Sequence, residues 1–573
     1  MHKRWIPTPT DEDTATKLEA AFAERMGIPA ICARLLVQRG ITTVAEVEAF
    51  FNPNWTHLHN PLLMRDMATA VTRLERAIHD GETIMLYGDY DVDGTTSVAL
   101  MHDYLAPRAK RIEDYIPDRY REGYGVSMAS IDYARAQGVT LIVAMDCGIK
   151  AHEPVALARS YGIDFIICDH HVPADTLPEA VAVLDPKRED CLYPFKELSG
   201  CGIAFKLVQA LHERGGGQRE DLASLLDLVA VSIACDMVLM RDENRALATL
   251  GIQRLNAAEG YREGLRALFN QKGRMMPVST NDILFGIGPL INAAGRLGDA
   301  KLAVRAMLAT NAIAAADLAA DLARQNDTRR EVEANMMREA EPQYLADFAA
   351  RKSIVLFQPN WHKGVVGIIA ARLCDQLHRP VAVLTETDGM VAGSVRSVRG
   401  LDVYETLKQC ADLLDTYGGH PYAAGLTMLP HNVPAFRERF EAIVSRSLTL
   451  EDIQPEILVN AELPLEAIDA TFYDTLRRFT PFGTGNPRPV FYAQGVRNTG
   501  ETRLSKNGEH LLLHIAQNSS APLEGVGYGW GYCLDAVSVH PFDICYVLEE
   551  NNVRRERKVR FQIRDLRFYP IEI

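Results

Sequence analysis

The chain has 573 residues, of which 47% are apolar and 24% charged, and its formal net charge is −14. No run approaches the ~20 apolar residues that a membrane-spanning helix requires, and residues 1–7 lack the apolar core of a signal peptide. The ten cysteines are scattered without a CxxC pair, which is typical of a reducing compartment and argues against structural zinc. We therefore expect a globular cytoplasmic protein with no membrane partner.

Apolar periodicity and Gly or Pro breaks predict a multidomain α/β fold. The predicted parts are an N-terminal helical segment (1–60), an α/β domain on a parallel sheet (61–265), a linker with connecting helices (266–350), a smaller α/β domain (351–450) and a β-barrel (455–573). The connecting helix, or pair of helices, is indicated by an Ala- and Leu-rich stretch from Ala300 to about Ala350, which has no Gly or Pro before Pro342.

The most informative motif is the sequence DYDVDG at 89–94, which follows the short apolar run 84–87. Carboxylates at a spacing of two point to one side of an extended chain. Like charges this close are unfavourable unless a cation neutralises them. An EF-hand calcium loop begins similarly, but no Glu stands at the twelfth loop position and residues 95–101 continue as a helix. The motif therefore predicts a metal site.

Two further apolar runs also end at side chains that can bind a metal ion. Residues 141–145 stop at Asp146, and residues 165–168 stop at the sequence DHH at 169–171. Short apolar runs bounded by Gly or by helical patterns predict parallel strands of a doubly wound sheet. Because ligands bind at the carboxyl ends of such strands, we expect these side chains to join the acidic cluster.

A fourth candidate is Asp236, which follows the apolar stretch 225–234. Taken alone, Asp146 is better explained as a helix N-cap, and adjacent histidines on a loop are usually solvated. Together, hard carboxylates and imidazoles suit Mn²⁺ or Mg²⁺ better than zinc.

Characteristic segments run through nearly the whole chain. They are DYDVDG (89–94), IPDR (116–119), EGYG (122–125), DCG (146–148), DHH (169–171), LSGCGIAFKL (198–207), ENR (243–245), GPLINAAGR (288–296), WHKGVVGIIAAR (361–372), GGHPYAAG (418–425) and PFGTGNP (481–487). No single segment is specific. In this combination and order, the chain resembles the DHH phosphoesterase superfamily and, within it, the RecJ branch of single-strand-specific 5′→3′ DNA exonucleases.

The resemblance implies a centre of two divalent ions, Mn²⁺ or Mg²⁺, that hydrolyses phosphodiesters. The implied metal ligands are Asp89, Asp91, Asp93, Asp146, His170 and Asp236, with Asp146 bridging the two ions and Asp89 either ligating or orienting a neighbour. The implied catalytic group adds Asp169 and His171 to Asp146 and His170. Asp169 would orient the histidines, and His171 would support the ligands or contact a phosphate, because adjacent side chains on an extended loop diverge.

The resemblance also implies residues that bind the substrate. They are Asn292, Arg296, Arg372, Ser394, Arg396, Gly418, Gly419 and His420. The segment that ends at Arg372 would present a helix N-terminus to nucleic acid, where the helix dipole favours anions. Ser394 and Arg396 offer a hydroxyl and a guanidinium to a phosphate, and the Gly-Gly-His segment offers backbone N–H groups. By itself, Gly-Gly is weak support and is equally typical of an ordinary turn.

A net charge of −14 argues against nucleic-acid binding by the surface as a whole, because phosphates are bound by Lys and Arg. Binding would therefore need a surface region that is locally positive. Between Asn551 and Phe568, seven Lys or Arg residues alternate with apolar ones, which predicts a strand with a basic face; a charged edge strand explains the pattern equally well.

The resemblance makes the barrel an OB-type fold that binds single strands. It implies single-stranded DNA, a RecQ-type helicase and a single-strand-binding protein as partners, in recombination and repair, and we expect a monomer.

Three positions depart from the RecJ pattern. Leu290 stands where Arg is common, Asp185 stands where Asn is usual, and residues 394–396 lack a common glycine. None of them is an expected metal ligand. We therefore expect activity to survive, with altered affinity or end preference.

Three other functions are compatible with parts of the pattern. A DHH phosphodiesterase for very short RNAs or cyclic dinucleotides usually lacks the long N-terminal part and the β domain. A non-catalytic DNA-binding scaffold is disfavoured by the intact acid and histidine positions. Hydrolysis of polyphosphate or pyrophosphate would not need an OB-like domain.

Overall fold

A computed structural model describes residues 3–274, 276–348, 350–551 and 558–569. Its helices are α1 (Glu12–Met26), α2 (Ala30–Val37), α3 (Val44–Phe51), α4 (Met67–Asp80), α5 (Val92–Leu105), α6 (Met128–Ala136), α7 (His152–Ser160), α8 (Gly200–Arg214), α9 (Leu226–Cys235), α10 (Asp242–Leu255), α11 (Glu263–Gln271), α12 (Thr280–Asp282), α13 (Gly288–Leu297), α14 (Lys301–Leu308), α15 (Ala312–Phe348), α16 (Lys363–Leu377), α17 (Val403–Lys408), α18 (Val433–Ser447), α19 (Ala470–Arg477) and α20 (Leu534–Val539). No described helix is long and apolar enough to cross a membrane.

The strands form four sheets. They are β1 (Arg4–Pro7), β2 (Thr83–Gly88), β3 (Arg111–Tyr115), β4 (Leu141–Met145), β5 (Asp164–Cys168), β6 (Ala182–Leu184), β7 (Ile354–Phe357), β8 (Val381–Thr387), β9 (Met390–Arg396), β10 (Thr416–His420), β11 (Ala423–Met428), β12 (Glu456–Val459), β13 (Ala461–Glu462), β14 (Phe491–Asn498), β15 (Arg503–Leu504), β16 (Leu511–Ala516), β17 (Leu523–Gly527), β18 (Phe542–Asn551) and β19 (Lys558–Phe568).

The first α/β domain is built on a parallel sheet with the strand order β3-β2-β4-β5-β6. The chain runs outward from β2 to β3 and then returns past β2 to β4, so the order reverses between β2 and β4. At such a reversal the carboxyl ends of the strands leave a crevice for ligands. Strands β2, β4 and β5 are almost wholly buried, which explains their continuous apolar sequence. The predicted parallel sheet is confirmed.

The second α/β domain carries a sheet with the order β10-β11-β9-β8-β7, in which β7 and β8 are parallel and the other pairs antiparallel. The two α/β domains are joined by α14 and by α15, which is 37 residues long. Helix α15 packs on α11, α13 and α14 of one side and on α16 and β7 of the other. The predicted long connection is therefore present as two helices, one of which is shared by both domains.

The C-terminal strands close into a barrel. Strands β14, β18, β19, β17 and β16 pair in that order, and β14 pairs again with β16, so five strands form a closed ring as the OB-type prediction requires. Helices α1 to α3 pack into the same hydrophobic core, where Phe22 and Leu36 join Phe479 and Phe491. Strand β1 also pairs with β12. The N-terminal segment thus completes the barrel region rather than standing apart.

A buried ion pair locks two helices of the first domain together. Lys206 of α8 lies 2.8 Å from Glu243 of α10, and both side chains are fully buried. Glu243 also accepts hydrogen bonds from the hydroxyl of Tyr193 (2.6 Å) and the backbone N–H of His59 (3.1 Å). Burial lowers the pKa of Lys206, although the carboxylate opposes this shift. Each of the two buried charges is therefore stabilised by the other.

We expect Lys206→Met to lower the free energy of unfolding by about 3–5 kcal/mol, because it leaves the Glu243 carboxylate buried without its cation. The double variant Lys206→Met/Glu243→Leu should lose clearly less, since no unpaired charge remains. Urea denaturation of the three proteins measures both values. A loss below about 1 kcal/mol for the single variant, or equal losses for both variants, would contradict this description of the pair.

Candidate metal centre

The first three carboxylates lie where β2 turns into α5. Asp91 is the N-cap of α5, and its side chain accepts hydrogen bonds from the backbone N–H groups of Asp93 (2.8 Å) and Gly94 (3.2 Å). A Cβ on Gly94 would lie 2.3 Å from the carbonyl oxygen of Asp89. Only glycine therefore permits the tight turn that brings Asp89, Asp91 and Asp93 together at the end of the strand.

Asp93 is held by donors from two other helices. Its carboxylate accepts hydrogen bonds from the backbone N–H groups of Gly200 (2.6 Å) and Cys201 (2.9 Å) and from the hydroxyl of Ser232 (2.6 Å). Gly200 and Cys201 begin α8, whose N-terminal dipole favours a negative charge. The sequence reasoning missed Ser232, because a serine inside the apolar stretch of α9 carries no recognisable signal.

Asp146 follows β4 with a left-handed backbone, φ +59°, a conformation that Asp and Asn tolerate better than other non-glycine residues. A Cβ on Gly200 would lie 2.7 Å from the Cβ of Asp146, so α8 packs directly on this residue. The hydroxyl of Tyr124 lies 3.4 Å from the carbonyl oxygen of Asp146 and 3.1 Å from Nε2 of His171. Tyr124 belongs to the EGYG segment, yet the sequence reasoning gave it no role.

Asp169 orients the two histidines that follow it. Its Oδ1 accepts hydrogen bonds from the backbone N–H of His170 (2.8 Å) and lies 2.7 Å from Nδ1 of His171, while Oδ2 accepts the backbone N–H of Ile149 (2.9 Å). Burial alone would raise the pKa of Asp169, but the hydrogen bond from His171 and these other donors hold it below its ordinary value. The two imidazole rings lie 4.6 Å apart at an angle of 66°.

His170 lies at the centre of the acidic cluster. Its Nε2 is 3.2 Å from Asp146, 3.7 Å from Asp236 and 3.8 Å from Asp93. Burial lowers the pKa of His170 although the carboxylates oppose this shift, which favours the neutral ring that ligates metals. Asp236 reaches the cluster from the C-terminal end of a helix, α9, whereas Asp89 and Asp146 follow strands and Asp91 and Asp93 lie at the start of α5.

The ligand atoms form three overlapping groups, each within 4.8 Å. The groups are Asp146 with His170 and His171, Asp93 with His170 and Asp236, and Asp89 with Asp91 and Asp146. Burial, followed by the neighbouring carboxylates, raises the pKa values of Asp89, Asp146 and Asp236 well above the ordinary value. One carboxylate oxygen of Asp89 and one of Asp236 are buried without a hydrogen-bond partner. Such a cluster fits divalent cations of the Mn²⁺ or Mg²⁺ type, because they would neutralise its charge and prefer oxygen ligands.

Arginines gather beside the acidic cluster. Arg296 lies on α13, next to Gly295, where a Cβ would come 2.4 Å from the carbonyl oxygen of Tyr90. Helix α13 therefore rests directly on the acidic turn. Burial, then the charges of Arg119 and Arg329, lower the pKa of Arg296 to about 10, while Asp91 opposes the shift. Arg119 also lowers the pKa of Arg396, after burial, so cations from both α/β domains converge here.

The other residues that were expected to bind the substrate lie in different environments. Asn292 is half-buried on α13, and Ser394 lies on β9, where it contacts α16 near Gly367. Arg372 is instead paired with the buried carboxylate of Glu333 on α15, 2.7 Å away. The Gly-Gly-His segment 418–420 lies on the exposed edge strand β10, not in a turn.

Two of the departures from the family pattern have a structural explanation. Leu290 is fully buried in the core of the first domain, so this position does not contribute to the arginine group. Asp185 is buried at the end of β6, and burial raises its pKa to about 7. Burial thus favours the neutral form of this carboxyl, which resembles the asparagine amide in shape.

Three family models match the chain in succession. They describe the DHH family N-terminal domain (residues 83–233), the DHHA1 domain (residues 350–446) and the RecJ OB domain (residues 459–565). The first covers the parallel sheet and all the candidate ligands except Asp236, which lies just beyond it. The other two cover the second α/β domain and the barrel.

Curated relatives and solved structures match over most of the chain. The chain is 34% identical to the single-stranded-DNA-specific exonuclease RecJ of Dickeya dadantii, over 94% of this chain and 96% of the relative. It is 35% identical to the protein of the same name from Bacillus subtilis, over 92% of this chain but 66% of that longer relative. The crystal structure of RecJ in complex with Mn²⁺ from Thermus thermophilus superposes with a TM-score of 0.83 at 28% identity, covering 99% of this chain and 80% of that one.

We expect Asp146→Asn to stabilise the metal-free protein by about 1–3 kcal/mol, because it removes one buried carboxylate from the cluster. Asn also tolerates the left-handed backbone. Folding raises the pKa of Asp146 above its ordinary value of 3.8, so the free energy of unfolding falls as the pH rises above that value. The metal-free wild type should therefore lose more stability than the variant between pH 4 and 7. Saturating Mn²⁺ should reverse the order, since ligand binding stabilises the wild type. Denaturant unfolding with EDTA or Mn²⁺ measures both effects.

Asp185→Asn is the matched control, because it also removes a buried acid near a strand end but lies outside the three ligand groups. It should keep the full Mn²⁺-dependent gain in stability. An Asp146→Asn protein that gains as much from Mn²⁺ as the wild type would contradict the proposed site.

Proposed function

The chain belongs to the RecJ family of DHH phosphoesterases, and we propose that it is a metal-dependent exonuclease that removes mononucleotides from the 5′ end of single-stranded DNA. The observation that carries this proposal is the meeting of an acidic cluster with an arginine group at the reversal point of the parallel sheet. The acidic cluster would hold the metal ions for the reaction, and the arginine group beside it would bind the phosphates. The names of the relatives agree with this reading.

The candidate ligands for two divalent ions, Mn²⁺ or Mg²⁺, are Asp89, Asp91, Asp93, Asp146, His170 and Asp236. When bound, such ions would supply the Lewis-acid charge that polarises a phosphodiester and activates water. Asp146 and His170 each belong to two ligand groups, which supports a bridging role for Asp146. Asp93 is immobilised by three donors, so one side of the cluster is already positioned before an ion arrives.

The residues around the cluster have separate tasks. Asp169 orients His170 toward the carboxylates and holds His171 on the outer side, where Tyr124 also contacts it. His171 and Tyr124 thus offer donors to a phosphate oxygen. Tyr124 is 58% exposed, so a substrate can reach it.

The arginine group provides the phosphate site. Arg296, Arg396 and Arg119 come from α13, β9 and the loop after β3, respectively. Arg119 lowers the pKa values of both other arginines, after burial, and an anion would relieve this repulsion. Gly364, at the start of α16, accepts a hydrogen bond from Arg296 through its carbonyl oxygen (3.2 Å), so the N-terminus of this helix also lies at the phosphate site. Binding a terminal phosphate here would place the next phosphodiester toward the acidic cluster, which supports attack from the 5′ end.

A groove receives the rest of the strand. Two cavities of about 440 and 770 Å³ share the lining residues Asn281, Phe285, Phe482, Arg488, Glu549 and Gln562 and so form one groove between the first domain and the barrel. Near the metal centre it is lined by Met237, which follows Asp236. At its far end lie Tyr473 and Tyr528. The lining contains aromatic rings and several arginines, and such groups suit unpaired bases and their phosphates.

The basic strand predicted near the C-terminus is present in part. Arg560, Arg564 and Arg567 lie on β19, and Arg560 and Arg564 line the groove. Arg554, Arg555 and Arg557 lie outside the described residues. We propose single-stranded DNA as the ligand of this face, bound in a salt-dependent manner.

The wider setting is proposed on the same basis. A RecQ-type helicase and a single-strand-binding protein would supply and present the single strand during recombination and repair. We propose the cytoplasm as the compartment, because all ten cysteines are free thiols, and a monomer as the working form.

The alternative functions differ in what they require of the groove. A phosphodiesterase of dinucleotides or very short RNAs, or a polyphosphatase, needs the metal centre and the arginine group but no extended aromatic path. The groove therefore favours a long strand. A non-catalytic scaffold would not require the complete set of ligand groups.

The test is Mn²⁺-dependent digestion of a single strand labelled at either its 5′ or its 3′ end. We expect immediate release of the 5′ label as a mononucleotide, late release of the 3′ label, and at least a ~100-fold lower rate for Asp146→Asn. EDTA should abolish the reaction. Asp388→Asn is the matched control, because Asp388 also has a left-handed backbone (φ +53°) but lies exposed in the turn between β8 and β9.

Other outcomes assign the chain elsewhere. Hydrolysis of dinucleotides or of polyphosphate without attack on long strands would support the corresponding alternative. Binding of single strands without any cleavage would support the scaffold. Early release of the 3′ label would contradict the proposed polarity.

A further inference from the structure

We infer that residues 479–487, here named the clamp loop, hold Asp236 in its ligating position, so that the C-terminal part of the chain completes the metal centre in addition to binding DNA. The inference rests on the proposed function in one respect, because it takes Asp236 as a metal ligand. The clamp loop contains the PFGTGNP segment, whose role the sequence left unassigned.

Asp236 is anchored on its N-terminal side only by the end of a helix. Its backbone N–H donates to the carbonyl of Ser232 (2.9 Å), the last turn of α9, and Met237 then adopts a left-handed backbone with φ +58°. Met237 is 65% exposed. The final turn of a helix frays readily when the following residues are free, so the position of Asp236 depends on what holds residues 237–241.

The clamp loop provides that second anchor. The backbone N–H of Met240 donates to the carbonyl of Thr484 (2.7 Å), and Nε of Arg241 donates to the carbonyl of Gly485 (3.0 Å). The two segments also pack closely, because a Cβ on Gly485 would lie 3.0 Å from the side chain of Leu239. The five residues after Asp236 are therefore fixed at both ends.

The clamp loop is itself rigid because two buried arginines hold it. Arg245 of α10 donates five hydrogen bonds of 2.8–3.2 Å, four of them to the carbonyls of residues 478–481 and one to the carbonyl of Phe50. Arg39 of the N-terminal segment donates to the side chain of Asn486 (2.6 Å) and to the carbonyl of Pro487 (2.8 Å). Asn486 in turn donates to the carbonyls of Phe479 and Pro481, both at 2.8 Å. Two distant parts of the chain thus fix one loop.

A consequence is that the ligand groups differ in their dependence on the barrel region. Asp89, Asp91 and Asp146 lie at the ends of β2 and β4 and at the start of α5, and α8 and α13 pack against them. The group of Asp93, His170 and Asp236 needs the clamp loop as well. Disturbing the clamp loop should weaken one ion site and leave the other intact.

The test is a titration of the full-length chain with Mn²⁺. Calorimetry measures the binding heat, and electron paramagnetic resonance measures the concentration of the free ion. Gly485→Ala is the main variant, because its Cβ would press on Leu239 and on Arg241 at 3.0 and 3.4 Å. Gly495→Ala is the matched control, because Gly495 also has a left-handed backbone (φ +64°) in the same region, but a Cβ added there would have no neighbouring atom within 4 Å. Arg241→Met removes one hydrogen bond of the clamp without backbone strain.

We expect two ions to bind the wild type and the Gly495→Ala protein. In Gly485→Ala one of the two should bind at least ~10-fold more weakly, with a smaller change of the same kind in Arg241→Met, while the thermal midpoint of Gly485→Ala stays equal to that of Gly495→Ala. Two ions bound with wild-type affinity by both clamp variants would overturn the inference and leave the proposed function standing. A wild type that binds no Mn²⁺ would overturn both.

Discussion

The crowding of carboxylates at one buried point governs this architecture. Five aspartates and a histidine converge where the strand order of the parallel sheet reverses, and burial together with mutual repulsion raises the pKa values of several of them. Such an arrangement costs folding free energy unless cations compensate it. The protein compensates Asp93 by itself, with three hydrogen-bond donors, and leaves atoms of Asp89 and Asp236 without protein partners. The uncompensated positions are those at which ions would bind.

The rest of the molecule is arranged around that charge. Helix α13 rests on the acidic turn through Gly295 and carries Arg296 to its rim, and the second domain brings Arg396 to the same crevice. Because acid and base are segregated over a short distance, the chain can bind phosphates despite a net charge of −14. The barrel extends the crevice into a groove of aromatic and basic residues. In the proposed function, the same packing contacts would therefore serve catalysis, phosphate binding and binding of the strand.

Much of the centre could be predicted from the sequence because parallel strands align their carboxyl ends. Short apolar runs that stop at Asp or His report directly which side chains meet, and Asp89, Asp146 and His170 meet as expected. Asp236 was singled out by the apolar stretch before it, which forms helix α9, and the resemblance added its role as a ligand. The ion pair between Arg372 and Glu333 could not be predicted, because a partner 39 positions earlier on α15 cannot be read from local pattern. Tyr124, Arg119 and Ser232 were missed for the same reason, as their roles arise from contacts between distant segments.

The central claim is that the carboxylate cluster is a centre for two metal ions. Crystals of the full-length chain soaked in Mn²⁺, measured at the manganese absorption edge, test it most directly. The account predicts two anomalous peaks roughly 3.5–4 Å apart, one beside Asp89, Asp91 and Asp146 and the other beside Asp93, His170 and Asp236. Peaks elsewhere, or no peak within this cluster, would contradict it.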